Sequence, residues 1–300
     1  MLSKQEFRDF LARGICLLDG ATGSNLMLAG MPKGCCAEKW VLENPEAIIR
    51  LQRQYAQAGS QIIYAPTFQA QPFALEKEGL AEKTEEINEA LVALTRKAAP
   101  GCLVAGDLAT MAAHCESWDG ACFEKMVDAY RRQICGLIQG GADLLVGETL
   151  LYPQEAEAIL TAAELESAGA VMFSFTMQAD GSLFSGADAG KVLRELEDAG
   201  ADAVGFNCVA ADMMTPHLVS KLRRCTSLPL ICKPNAGNPV IREGGVAEYD
   251  LSPAGFVDIM MQCADNGAHL LGGCCGTNPD FIAALRDALR KKNKESVENG

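Results

Sequence analysis

The chain has 300 residues, of which 49% are hydrophobic and 22% are charged, and its formal net charge at pH 7 is −13. This composition is typical of a globular protein with ample apolar material for a core, and the length is common for an α/β barrel. The charge argues against a nucleic-acid partner, whose phosphates need Lys and Arg. No stretch approaches the roughly 18 uninterrupted apolar residues of a membrane span, so no membrane partner is predicted.

Short apolar runs recur along the chain and are predicted to be eight β-strands. They lie at residues 14–20, 58–67, 102–109, 140–149, 170–177, 199–208, 228–237 and 266–275. Four of them follow a small residue plus Gly at the end of a helical stretch, which suits a left-handed helix cap. Asn44-Pro45 and Asn278-Pro279 each pair an Asn cap with Pro at the first helical position. Strands alternating with helices predict a single (β/α)8 TIM barrel over residues 1–300, with a charged tail from about residue 291.

The chemistry of such barrels lies at the C-terminal ends of the strands. The candidate residues there are Asp19, Thr67, Asp107, Glu148, Asn207, Cys208, Lys233, Asn235, Cys274 and Cys275. Asp19 and Glu148 together suit a cationic amino group, and D-G-A-T-G-S-N at 19–25 offers backbone N–H donors for a carboxylate. Lys233 has two interpretations: the Schiff-base lysine of a carbonyl lyase, or a lysine that pairs with a nearby acid.

Three of these residues are cysteines on strands separated by one neighbour. Two strand spacings make about 10 Å, a gap that two side chains and two Zn–S bonds of about 2.3 Å can close. Side chains of neighbouring residues in a regular strand point to opposite faces, but glycines 272, 273 and 276 allow the chain to turn both Cys274 and Cys275 inward. Three thiolates leave Zn²⁺ one vacant position, and a substrate thiol held there could accept an alkyl group.

Spacing alone leaves other interpretations of these cysteines open. They could be ordinary buried small residues, or Cys274 and Cys275 could form a strained disulfide. The second adjacent pair, Cys35-Cys36, lies in a loop-like stretch and is predicted not to bind metal. Thirteen scattered cysteines do not resemble a secreted disulfide framework, so we expect reduced thiols and a cytoplasmic protein.

Five motifs resemble one known family. They are D-G-A-T-G-S-N-L, E-N-P-E-A-I-I, G-F-N-C, K-P-N-A-G and G-G-C-C-G-T. Together they resemble the homocysteine S-methyltransferases, and are most similar to the homocysteine-binding barrel at the N-terminus of cobalamin-dependent methionine synthase. The resemblance extends from about Phe7 to Arg290, and its most specific parts are G-F-N-C and G-G-C-C-G-T.

The resemblance implies a zinc ion bound by Cys208, Cys274 and Cys275, with the sulfur of homocysteine as the fourth ligand. It also implies that Asn235 occupies or adjusts the fourth position when substrate is absent.

The resemblance further implies the contacts of the substrate. Asp19 and Glu148 would hold the amino group, while the backbone around Ala21, and Thr67, would lie near the carboxylate. Asn207 is expected among the substrate contacts as well. The third strand ends G-D-L-A-T-M, where relatives often have a Gly-Pro turn, so no substrate contact is carried over to that strand.

The implied reaction converts homocysteine to methionine, and its methyl donor is expected to be methylcobalamin from a separate corrinoid protein or from methionine synthase modules. S-methylmethionine is the alternative donor, because the sequence shows one barrel and no corrinoid or folate module. Two hypotheses from other classes are a Schiff-base lyase using Lys233 and a non-catalytic module that binds zinc or a partner.

Overall fold

The computed structural model describes residues 1–115, 117–178, 180–241 and 247–298. Its strands are β1 Cys16–Leu17, β2 Ile62–Tyr64, β3 Leu103–Ala109, β4 Leu144–Leu150, β5 Val171–Phe175, β6 Ala203–Ala210, β7 Leu230–Asn235, β8 Pro239–Ile241, β9 Ala247–Tyr249 and β10 Ala268–Leu271. Its α-helices are α1 Lys4–Leu11, α2 Gly23–Leu28, α3 Ala37–Glu43, α4 Pro45–Ala58, α5 Pro72–Leu75, α6 Thr84–Ala98, α7 Gly120–Gln139, α8 Pro153–Leu165, α9 Ala189–Asp198, α10 Thr215–Arg223, α11 Pro253–Asp265 and α12 Pro279–Glu298. No helix in these ranges combines the length and the apolar character that crossing a bilayer needs.

Within the described ranges, eight strands form one parallel sheet in the order β1-β10-β7-β6-β5-β4-β3-β2. The two ends of this order meet. The N–H of Gln61 donates to the Leu17 carbonyl at 2.7 Å, and the N–H of Leu17 donates to Oε1 of Gln61 at 3.0 Å. The predicted (β/α)8 barrel is therefore confirmed, and each barrel strand overlaps the run predicted for it. β8 and β9, which lie between β7 and α11 in the chain, pair antiparallel, and the sequence did not predict them.

The predicted glycine caps are confirmed. The four glycines that precede β2, β4, β6 and β10 have φ between 84° and 114°, a region that favours glycine: Gly59, Gly141, Gly200 and Gly267. Each ends or follows a helix and lets the chain turn directly into the next strand. Each of these turns connects the end of a helix to the start of the next strand, at the N-terminal end of the barrel.

The two predicted Asn caps differ. Oδ1 of Asn278 accepts from the N–H of Asp280 at 2.9 Å in the first turn of α12, as expected. Asn44 precedes α4, but its side chain makes no cap bond there. Its amide instead donates to the Trp40 carbonyl at 2.9 Å. The cap prediction is wrong at Asn44 because α3 ends immediately before it, and the open carbonyls of that helix end compete for the amide.

The barrel interior is apolar at one end and polar at the other. α1 packs Phe7 and Leu11 onto the interior side chains at the N-terminal end. Residues two positions apart on a strand share a face. Two positions after the interior residues Ile62, Ala105, Val146 and Ile231 come Tyr64, Asp107, Glu148 and Lys233. The last interior layer, at the C-terminal ends of the strands, therefore carries the titratable side chains.

One cysteine pair departs from the expectation of reduced thiols. Cys115, after β3, and Cys122, in the first turn of α7, form a disulfide with their Cα atoms 6.1 Å apart. The other eleven cysteines, all within the described ranges, have free thiols.

Candidate active site

Three cysteine side chains meet at the C-terminal end of the barrel. The Sγ atoms of Cys208, Cys274 and Cys275 all lie within 4.8 Å of one another, and those of Cys208 and Cys275 are 4.0 Å apart. A tetrahedral zinc ion with Zn–S bonds of about 2.3 Å would place its sulfur ligands about 3.8 Å apart. The observed spacing therefore fits such an ion with little movement.

The chain leaves regular strand geometry before the adjacent cysteines, as the sequence predicted. β10 ends at Leu271. The N–H of Cys274 then donates to the Pro234 carbonyl at 2.7 Å, and the carbonyl of Cys275 accepts from the N–H of Ala236 at 2.9 Å. These bonds tie both cysteines to the end of β7, which fixes the direction of their side chains.

Gly276 completes this turn. Its φ is 80°, and a Cβ at this position would lie 2.3 Å from ring atoms of Tyr249, at the end of β9. Only glycine fits there.

Cys208 is directed into the site by an irregularity in β6. The pairing of β6 with β7 shifts register between Asn207 and Ala210, and Cys208 has φ 56°. A left-handed backbone is uncommon for a residue other than glycine. A bulge of this kind re-aims a side chain at the end of a strand. Strand order alone predicted that the three thiols share one rim. The bulge in β6 is what directs the Cys208 side chain toward Cys274 and Cys275.

The thiols of the cluster differ in pKa. Hydrogen bonds from Cys208 and then Cys274 lower the pKa of the Cys275 thiol to about 3. Hydrogen bonds to Cys274 and then to Cys275 raise the pKa of the Cys208 thiol. The cluster thus holds one negative charge easily, and a bound cation would be needed to hold three thiolates together.

Lys233 joins two carboxylates beside the cysteines. Its buried Nζ lies 3.0 Å from Oε1 of Glu148 and 3.4 Å from Oδ1 of Asp19, and 4.5 Å from the centre of the Tyr64 ring. Burial by itself would lower the pKa of Lys233, but Glu148 and Asp19 raise it well above its ordinary value. The pairing interpretation of Lys233 is therefore the favoured one, since a Schiff-base lysine must lose its proton.

A cavity of about 390 Å³ opens above this layer and contacts the cysteines. Seven of the candidate residues from the sequence line it: Ala21, Asp107, Glu148, Cys208, Lys233, Cys274 and Cys275. The described cavity wall does not include the other predicted site residues, which are Asp19, Thr67, Asn207 and Asn235.

Asp19 and Thr67 bond to strand backbones instead. The Asp19 side chain is 1% exposed, and its Oδ2 accepts from the N–H of Tyr64 at 2.9 Å. Burial raises the pKa of Asp19 to about 6, although Lys233 opposes the shift. The Thr67 hydroxyl donates to the Asp107 carbonyl at 2.9 Å and accepts from its N–H at 3.0 Å.

Ala21 follows β1 and Asn235 ends β7, the two strands that flank β10 in the sheet. The N–H of Ala21 donates to Oγ1 of Thr277 at 3.1 Å, so this amide already has a partner. Three positions further along the chain, Oγ of Ser24 is buried in the cavity wall without a hydrogen-bond partner among the described residues. Oδ1 of Asn235 is likewise buried and unpartnered within the described ranges.

Sequence reasoning gave no role to several polar wall residues, among them Tyr64 and Asp107. Tyr64 was not considered, and Asp107 was noted only for its position at a strand end. Both lie two positions after an apolar interior residue of their strands. That period of two was the signal that could have placed them on the inner face.

Comparisons with known proteins show the family of the chain. The profile of the homocysteine S-methyltransferase family matches residues 16–289. Over 97% of its length the chain is 27% identical to a methionine synthase of Mycobacterium leprae (strain TN), of which it spans only 26%. It is 31% identical to the homocysteine S-methyltransferase of Escherichia coli (strain K12), covering 91% of this chain and 94% of that protein.

The structure resembles solved enzymes as well. The metallated form of the homocysteine methyltransferase MmuM from Escherichia coli superposes with a TM-score of 0.81 at 29% identity, covering 94% of this chain and 99% of that one. The carboxyl transferase domain of Rhizobium etli pyruvate carboxylase, at 14% identity and a TM-score of 0.53, shares the fold alone. From the profile match, the similarity to the E. coli enzyme and the thiol cluster, we conclude that this chain belongs to the homocysteine S-methyltransferase family.

Proposed function

We propose that the chain transfers a methyl group to the sulfur of homocysteine, giving methionine, with zinc bound by Cys208, Cys274 and Cys275. The observation that carries this proposal is that three sulfur atoms within 4.8 Å of one another line the same cavity as Glu148. A soft tetrahedral metal site and an acidic group suit the thiol and the ammonium of one small amino acid.

The bound zinc would supply one chemical effect, holding the substrate thiol as a thiolate near neutral pH. The chain's own residues orient the substrate. Glu148 accepts from the ammonium group, and Asp19 contributes its charge through Lys233, which lies between the two acids. The substrate carboxylate faces the segment from Ala21 to Ser24, where the Ser24 hydroxyl is buried without a described partner.

Asn235 is proposed to take the fourth position when substrate is absent. Its Oδ1 is buried and has no hydrogen-bond partner among the described residues. The N–H of its neighbour Ala236 bonds to the Cys275 carbonyl at 2.9 Å, which keeps this segment beside the cysteines. We propose that Thr67 and Asn207 support substrate binding through the residues that they hold, Asp107 and Thr149.

Methylcobalamin is the proposed methyl donor, supplied by a corrinoid protein or by methionine synthase modules. The support is similarity to methionine synthase over 97% of the chain. S-methylmethionine is the second candidate, favoured by the match over 94% of the E. coli homocysteine S-methyltransferase. Either donor must bring its methyl carbon to about 3–3.5 Å from the substrate sulfur. A cytoplasmic location is proposed because the thiol cluster needs reducing surroundings, and cell fractionation would test it.

The test combines metal analysis with turnover. Protein purified under reducing conditions should contain about one zinc per chain, and with homocysteine it should form methionine from one of the two donors. Methionine from methylcobalamin but little from S-methylmethionine supports the first donor, and the reverse supports the second. Absence of zinc, or zinc-loaded protein that forms no methionine with either donor, would overturn the proposed activity.

A further inference from the structure

Glu155, in the first turn of α8, is a fully buried acid that has no role in the site as described so far. Its Oε1 accepts from Oγ1 of Thr110 at 2.6 Å and from the N–H of Met111 at 2.7 Å. Its Oε2 accepts from the N–H groups of Leu151 and Tyr152 at 2.9 and 3.0 Å. A buried carboxylate is costly unless hydrogen bonds replace its water, and these four uncharged donors supply them.

Capping of α8 explains only part of this arrangement. A glutamate at the third position of a helix commonly accepts from the N–H of the residue before the helix, as Glu155 does from Tyr152. The bonds to Thr110 and Met111 instead reach 45 and 44 positions away in sequence, to the segment that follows β3. One carboxylate therefore joins the chain after β3 to the chain after β4.

A carboxylate is the side chain that fits four donors. Its two oxygens can accept about four hydrogen bonds, whereas the amide of Gln has one acceptor oxygen and an NH₂ group that only donates. In Glu155→Gln this NH₂ group would face an N–H donor of one segment or the other. The bridge between the two segments would therefore be weakened on that side.

The bridge lies next to an irregular part of β4. The pairing of β4 with β5 shifts register between Gly147 and Leu150, so Glu148 and Thr149 together lie opposite Ser174. A bulge of two residues against one changes the direction of the side chains that it carries. Both bulged residues belong to the cavity wall.

Side-chain hydrogen bonds hold this bulge at two points. The N–H of Thr149, within the bulge, donates to Oδ1 of Asn207 at 3.0 Å. Glu155 then holds Leu151 and Tyr152, which follow the bulge directly. Because the register with β5 is interrupted here, these bonds keep the wall segment in its observed conformation.

We propose that Glu155 is a positioning residue of the substrate site, which fixes the bulged segment of Glu148 and Thr149 in the cavity wall. This inference rests on the proposed function, because its effect is on binding of the thiol substrate. Glu155 does not belong to the described cavity wall. Its effect on the substrate must therefore pass through the residues that it holds.

The test is a double-mutant cycle, with affinity for homocysteine measured by calorimetry on zinc-loaded protein. Glu155→Gln should weaken binding by about tenfold while zinc content stays unchanged, within the range typical of residues in one network. If the effect passes through the bulge, Glu155→Gln should weaken binding by less than about twofold in protein that already carries Glu148→Gln.

Asp202→Asn is the matched control. Asp202 is also a buried acid, and its Oδ2 accepts from the N–H of Val171 at 3.0 Å. It lies directly before β6, at the N-terminal end of the barrel, and is not part of the described cavity wall. Both substitutions should lower the free energy of unfolding, but only Glu155→Gln should change the affinity for homocysteine. Equal weakening in both variants would overturn the proposal, since a general loss of stability would then explain it.

The other outcomes separate this proposal from the proposed function. Wild-type protein that binds homocysteine, with Glu155→Gln binding it equally well, overturns the positioning role and leaves the methyltransferase proposal standing. Fully additive effects of Glu155→Gln and Glu148→Gln also overturn the positioning role. Zinc-loaded wild-type protein that binds no homocysteine overturns both proposals.

A second variant decides if Glu155→Gln fails to fold. Thr110→Val removes the hydroxyl that donates to Oε1 of Glu155 and keeps the carboxylate with its other donors. It should weaken homocysteine binding by about threefold, in the range of one hydrogen bond. Unchanged affinity in Thr110→Val would then overturn the proposal.

Discussion

Asn207 and Thr149 form a reciprocal pair across two strand ends. Nδ2 of Asn207 donates to Oγ1 of Thr149 at 2.6 Å, and the N–H of Thr149 donates to Oδ1 of Asn207 at 3.0 Å. Thr149 and Cys208 both have φ 56°. The pair therefore joins Thr149, which is in the left-handed region next to Glu148, to the residue before Cys208, which is in the left-handed region of the thiol cluster. Such conformations persist where surrounding bonds hold them.

Asn207→Ala should weaken zinc binding. The substitution removes the bonds to Thr149 and the N–H that donates to Sγ of Cys274 at 3.8 Å. Loss of a residue that orients metal ligands typically costs about 10- to 100-fold in metal affinity. Competition with a chromophoric chelator would measure the zinc dissociation constant. Thr149→Ser, which keeps the hydroxyl partner, is the control, and equal zinc affinity in all three proteins would contradict the prediction.

The two adjacent cysteine pairs should behave differently. Cys275→Ser should reduce zinc from about one per chain to a small fraction, because a catalytic zinc site needs three protein ligands. Cys35→Ser should retain full zinc, since the described thiol cluster consists of Cys208, Cys274 and Cys275. Elemental analysis of proteins purified side by side would decide. Equal zinc loss in both variants would show that the cluster is not the metal site.

Glu148→Gln should weaken homocysteine binding while zinc content stays full. Loss of a charge-assisted hydrogen bond costs about 1.5–3 kcal/mol, which corresponds to roughly 10- to 100-fold in affinity. Asp19→Asn should have a smaller effect, because Asp19 acts through Lys233. Calorimetric titration of zinc-loaded variants would measure both. Unchanged affinity in Glu148→Gln would remove this residue from the substrate site.

Asp19 should make stability depend on pH. Burial raises its pKa from 3.8 to about 6. A carboxyl group whose pKa is higher in the folded state contributes stability below the unfolded value and loses it as the pH rises through the folded value. The free energy of unfolding of the wild type minus that of Asp19→Asn should therefore fall by about 2–3 kcal/mol between about pH 4 and about pH 7. Urea titrations would measure it, and a difference that rises with pH would contradict the assignment.

Local signals in the sequence predict the barrel, which the structure confirms. The apolar runs, the four glycines with positive φ and the Asn278 cap are local signals, and local geometry decides whether a helix stops and a strand begins. Strand order then followed from the repeat, which placed Cys208 on the same rim as Cys274 and Cys275. The family motifs added the expected chemistry to these positions.

The tertiary structure decided which polar groups touch the cavity and which support it. Lys233 contacts two acids that are 85 or more positions away in sequence, the Asp19 side chain accepts from the Tyr64 backbone, and Asp107 belongs to the cavity wall. These contacts depend on strand register and on the bulge at Cys208, where a shift of one residue sends a side chain to the other face. No local pattern in the sequence encodes such a shift, because it is set by hydrogen bonds between distant strands.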